Sequence, residues 1–164
     1  MLKKIIFALV LSIIFSCGQT FAAESVQVYD NDEKTFITVF NQITTKEKLF
    51  TLETTPQFME NNGNFDVYKA NAIPADANVN VLFFKNKNGA VEKLGLSAKS
   101  VDKLQETLTV SLLVLGLTEN EFKELVATQK ENFAIVWCEA AKRNITVEFS
   151  VTSESIDALI DANR

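Results

Sequence analysis

The chain has 164 residues, of which 47% are apolar and 23% charged, with a formal net charge of −5 and no histidine. That length and balance suit one folded domain behind a short leader and exclude disorder along the whole chain. The missing histidine removes the commonest general base and the commonest metal ligand, and the acidic surplus repels nucleic acid and anionic lipid.

Residues 1–23 read as a secretory signal peptide. Lys3 and Lys4 make a basic start, residues 5–15 form an apolar run of eleven, and small and polar residues follow. The run is shorter than the about 20 residues that a membrane-spanning helix needs. Two exits compete. Ala22 and Ala23 offer small residues for cleavage, which would release a soluble protein. Ser16-Cys17-Gly18 resembles a lipobox, in which Cys17 would be acylated, although the bulky Phe15 fits that pattern poorly. Cleavage at Ala23 removes Lys3 and Lys4, leaving 14 basic against 21 acidic residues, a net charge of −7. Either exit places the protein outside the cytoplasm, in the periplasm, secreted or tethered to the envelope by lipid.

Residues 24–164 are expected to form one α+β domain. Val26 and Val28 alternate in a short strand or arm. In Asp30-Asn31-Asp32-Glu33 the acids could suggest a calcium loop, but Lys34 and Thr35 stand where another oxygen ligand and a glycine belong. A helix start capped by Asp30 or Asp32 fits better, with Phe36, Val39, Phe40 and Ile43 as its apolar stripe. Residues 49–54, 65–70, 79–84 and 90–96 read as four strands in an antiparallel meander. The loop between the first two carries Phe58 and Met59, a candidate contact for a protein or an apolar small molecule. Asn88-Gly89 predicts a type I′ hairpin turn.

Residues 100–117 place Val101, Leu104, Leu108, Leu112 and Leu115 on one helical face, and the last turns are apolar nearly all round. Such a helix needs neighbours on most sides and is expected at the centre of the domain. It stops at Gly116. Thr118 and Glu121 form a capping box for the next helix, with Leu117 and Phe122 at the staple positions. Residues 133–138 and 145–151 follow as a hairpin turned by Lys142-Arg143-Asn144. In its second strand Ile145, Val147, Phe149 and Val151 should face the core, and Thr146, Glu148 and Ser150 the water. A last helix is expected from Ser153, with Ile156, Leu159 and Ile160 inward. The architecture is therefore a four-strand meander plus a C-terminal hairpin, packed by a central helical pair and terminal helices.

No stretch specifies a chemistry. Cys138 has no histidine to activate it and sits in an apolar strand, so an inert buried thiol is expected. Asp157 and Asp161 are spaced for one solvent-facing side of the last helix. No phosphate loop, CxxC pair or nucleophile elbow is present, so no catalytic residue, metal ligand or cofactor is assigned. The leading expectation is an exported, non-catalytic binding or interaction module that meets a partner at Phe58 and Met59 or on the sheet face carrying Thr146, Glu148 and Ser150. The alternatives are an envelope-polymer hydrolase built on two carboxylates and an acidic inhibitor or immunity-type protein.

Overall fold

The structure, a computed structural model, describes residues 25–163. The predicted signal peptide and Cys17 lie outside the described residues. The described chain forms nine strands and three α-helices. The strands are β1 Ser25–Val26, β2 Thr51–Leu52, β3 Gln57–Asn61, β4 Asp66–Ile73, β5 Val79–Lys85, β6 Val91–Ala98, β7 Phe133–Cys138, β8 Arg143–Val151 and β9 Ile156–Asn163. The helices are α1 Glu33–Lys46, α2 Val101–Val114 and α3 Glu119–Thr128. All strands belong to one antiparallel sheet of order β2-β4-β5-β6-β9-β8-β7, with β3 also on β4 and β1 also on β9. The α+β architecture expected from the sequence is the one observed.

The helices start where local chemistry says they should. Asp32 caps α1, its Oδ1 accepting from the Thr35 N–H at 2.8 Å, and Ser100 caps α2 in the same way. Thr118 and Glu121 close the capping box of α3. The Thr118 N–H donates to Glu121 Oε2 at 2.6 Å, and the Glu121 N–H donates to Thr118 Oγ1. Glu121 also accepts from the Glu139 N–H at 2.6 Å, which ties the α3 start to the β7–β8 turn. Burial pushes the Glu121 carboxyl up, but the hydrogen bonds from Glu139 and Thr118 outweigh it and hold it below the usual range. Thr118→Ala is expected to cost about 1 kcal/mol, read as a lower denaturant midpoint, with Thr118→Ser close to wild type. Gly116, at φ +95°, carries the reversal between α2 and α3, and an added Cβ there would meet Ala140 Cβ at 3.3 Å.

All three helices lie on one face of the sheet. Phe36, Ile37 and Phe40 of α1, Leu104, Leu108 and Leu112 of α2, and Phe122 and Leu125 of α3 share a core with Ala70, Val81, Phe83, Leu94, Val147 and Ile160 from the strands. The α1 stripe is turned slightly from the expected one. Ile37 and Thr44 are buried, and Val39 and Ile43 are only partly so. As expected, α2 is the central helix, buried nearly all round from Thr107 to Leu112 and packed against α1 and across β5, β6 and β9.

Four expectations about element type and boundaries are corrected. The last segment is strand β9, not a helix, and it lies in the middle of the sheet between β6 and β8. Its inward residues are Ala158, Ile160 and Ala162, alternating with Asp157, Leu159 and Asp161. Two waiting strand partners decide this conformation, and helical spacing of three apolar residues cannot compete with both ladders. The 55–64 segment contains strand β3 on the β4 edge, so Phe58 and Met59 stand on an edge strand and not on a loop. Arg143 opens β8 and is buried, so the β7–β8 turn falls one step earlier, with Lys142 at φ 53°. The β5–β6 turn is not type I′. Gly89 alone takes a positive φ, and Asn86 Oδ1 accepts from the Asn88 and Ala90 N–H groups, which lengthens the turn by a bulge.

Candidate functional site

The surface worth attention is the side of the sheet that carries no helix among the described residues. Strand pleating and register decide what stands on it. Reading across β4, β5, β6, β9 and β8, Lys69, Leu82, Gly95, Leu159 and Glu148 are cross-strand neighbours in one row. The next row holds Asn71, Asn80, Ser97, Asp157 and Ser150. On the other side of the first row, Val67, Phe84, Lys93, Asp161 and Thr146 complete the face. Gly95 has a reason in this setting. A Cβ there would come within 3.3 Å of Leu82 Cβ and of the Phe84 ring, so glycine lets those two side chains lie flat over the sheet.

Three of the charges on this face, those of Lys93, Asp161 and Asp157, are paired or hydrogen-bonded. Lys93 binds Asp161 across the β6–β9 ladder at 2.5 Å, and the Ser155 hydroxyl lies 3.0 Å from Asp157 Oδ2. Asp157 and Asp161 stand four residues apart on an extended strand. Their backbones are therefore about 13 Å apart, too far to act as one carboxylate pair. Thr146 is corrected from solvent-facing to buried, and its hydroxyl faces the Asp161 carbonyl. Glu148 and Ser150 are exposed as expected, whereas Val151 is 56% exposed and not in the core.

Phe58 and Met59 are 56% and 52% exposed. The ladder slips between Phe58 and Glu60, so Phe58 and Met59 together oppose the single residue Tyr68. Such a bulge re-aims side chains at a sheet edge and interrupts further strand pairing. The Phe58 ring packs edge-on against Tyr68 at 5.5 Å, which gives this exposed aromatic a fixed orientation. The pair is thus brought together by the fold, but at the sheet edge and away from Thr146, Glu148 and Ser150, which lie on β8.

Cys138 is fully buried and unpaired, with its thiol 3.9 Å from the Leu115 carbonyl. Among the described residues no group of three or more Asp, Glu and Cys side chains is placed to hold a metal ion, and no helix is long and apolar enough to cross a membrane. At the end of the sheet the Asn71 row opens into a cleft of about 690 Å³ lined by Glu53, Asn71, Asn80, Ser97, Glu154 and Ser155. These residues were not singled out from the sequence. The one available signal is asparagine inside strand-like runs, where it is a poor β-former. No family model, no curated protein and no solved structure matches the chain.

Proposed function

We propose that this protein is an exported, non-catalytic binding or interaction module of the bacterial periplasm or envelope. The observation that carries the reading is the Phe58–Met59 pair. Two large apolar side chains, bulged outward on an edge strand and oriented by Tyr68, are an unusual use of surface, and exposed aromatic and Met side chains serve best as contact anchors. The state of the reactive side chains supports it. Cys138 is buried, Asp161 and Asp30 are paired with Lys93 and Arg143, and Glu121 is taken up in helix capping. The leader, read from the sequence, supplies the compartment.

The test is capture of partners from the envelope fraction by the wild-type chain and by Phe58→Ala/Met59→Ala. Both side chains are exposed, so the double variant should melt near the wild-type temperature. It is expected to lose at least tenfold in affinity for any protein that the wild type retains. Retention of that partner at wild-type strength would remove this edge from consideration.

A further inference from the structure

We propose that the polar row Asn71, Asn80, Ser97, Asp157 and Ser150 binds a neutral oligosaccharide laid across the strands. This deepens the binding-module reading and rests on it, but uses a different surface from Phe58 and Met59. Five successive cross-strand neighbours are occupied by Asn, Asn, Ser, Asp and Ser, all poor strand formers, whereas β-branched and aromatic residues suit such positions. Places where a local rule is broken without a packing gain mark function more often than architecture does. Glu53 holds Asn71 through its Nδ2 at 2.8 Å and Ser155 holds Asp157, while no hydrogen bond within the described residues engages the Asn80 or Ser97 side chains.

The spacing of the row selects the ligand. Neighbouring strands are about 4.8 Å apart, so this row presents a hydrogen-bonding group at that interval. An extended β-1,4-linked pyranose chain advances by nearly the same interval per ring. An extended polypeptide repeats its same-side groups every two residues, about 6.7 Å, and falls out of step. Amides and hydroxyls both donate and accept, which matches sugar hydroxyls, and carboxylates accept from them. Glu53 and Glu154 against Lys99 make the cleft acidic, and Asp157 adds a further carboxylate beside Ser97 in the row, which disfavours phosphorylated or acidic ligands. Leu82 and Leu159, on either side of Gly95 in the adjoining row, offer an apolar strip for the C–H face of a ring.

The experiment is a nuclear magnetic resonance titration of the full chain, as its host processes it, with chitotetraose, cellotetraose and maltotetraose, and with trigalacturonate as the acidic comparison. At least one neutral probe is expected to shift the Asn71 and Asn80 side-chain amides, and the acidic probe to bind more weakly. Asn80→Val/Ser97→Val should weaken that binding at least tenfold and at the same time raise the melting temperature, because valine suits a strand and the native pair is kept for binding. Silence with all three neutral probes, undiminished binding by the double variant, equal binding of trigalacturonate, or a lower melting temperature would each overturn the proposal. Phe58→Ala/Met59→Ala should leave the titration unchanged, so failure at one surface does not imply failure at the other.

Discussion

Phe36→Ala is expected to destabilise the protein by about 3–5 kcal/mol, the largest single effect among the side chains described. Phe36 is fully buried on the first buried turn of α1 and is the meeting point of three rings. Tyr29 packs edge-on against it at 5.5 Å, Phe83 of β5 edge-on at 5.4 Å, and Phe40 stacks at 6.1 Å. Truncation removes the transfer free energy of a benzyl group and leaves a cavity under α1 with no side chain free to collapse into it. Aromatic pairing adds a smaller amount that Phe36→Leu would also lose. Chemical denaturation should show Phe36→Leu between Phe36→Ala and wild type. A loss below about 1 kcal/mol for the alanine variant would mean that the α1 interface is not the closed core described above.

Arg143→Ala is expected to cost about 2–3 kcal/mol and to free the segment before α1. The guanidinium is nearly buried and reaches three groups. Nε donates to the Ala141 carbonyl at 2.9 Å, Nη1 to the Gln27 carbonyl, and Nη2 to both oxygens of Asp30 at 2.6 and 2.7 Å. One side chain therefore ties the 27–30 segment to the start of β8. The Asp30 side chain is 59% exposed, so solvent screens its part of the pair, and the carbonyl bonds from the buried donor carry more of the effect. Arg143→Lys keeps the charge but not the fork and should recover little. Limited proteolysis checks the arm, which should be cut in Arg143→Ala under conditions where the wild type resists. There is a pH signature as well. The Arg143 hydrogen bond holds the Asp30 carboxyl below the ordinary aspartate range. The pair's contribution is therefore present above that range and is lost as pH falls through it toward the lower folded value. Arg143→Ala should show correspondingly less loss of stability on acidification.

What the sequence made legible is what is local. The helix start at Asp30 or Asp32, the Thr118 capping box, the Gly116 reversal and the alternation in β8 depend on neighbours within a few residues, and each is visible as a pattern. β9 was misread because Ser153, Ile156, Leu159 and Ile160 satisfy helical spacing, and its true inward set includes Ala158 and Ala162, which are too small to announce a core face. β3 was hidden because its five residues are all exposed and carry no alternation. Phe58 and Met59 could be singled out as a contact pair, though their bulged opposition to Tyr68 could not. The polar row was invisible for a deeper reason. Its five members are drawn from five strands, and only register brings them into line.

The position of β9 has a consequence for how the molecule comes into being. The pairing of Lys93 with Asp161 spans 68 residues, and β9 is the strand that joins β4-β5-β6 to β8-β7. A ribosome delivers both flanks of this sheet before it delivers the middle. Until then the emerging chain holds two half-sheets with facing open edges, and contacts of such long range close slowly. Closure of the whole sheet therefore waits on β9, whatever the two flanking half-sheets have formed before it.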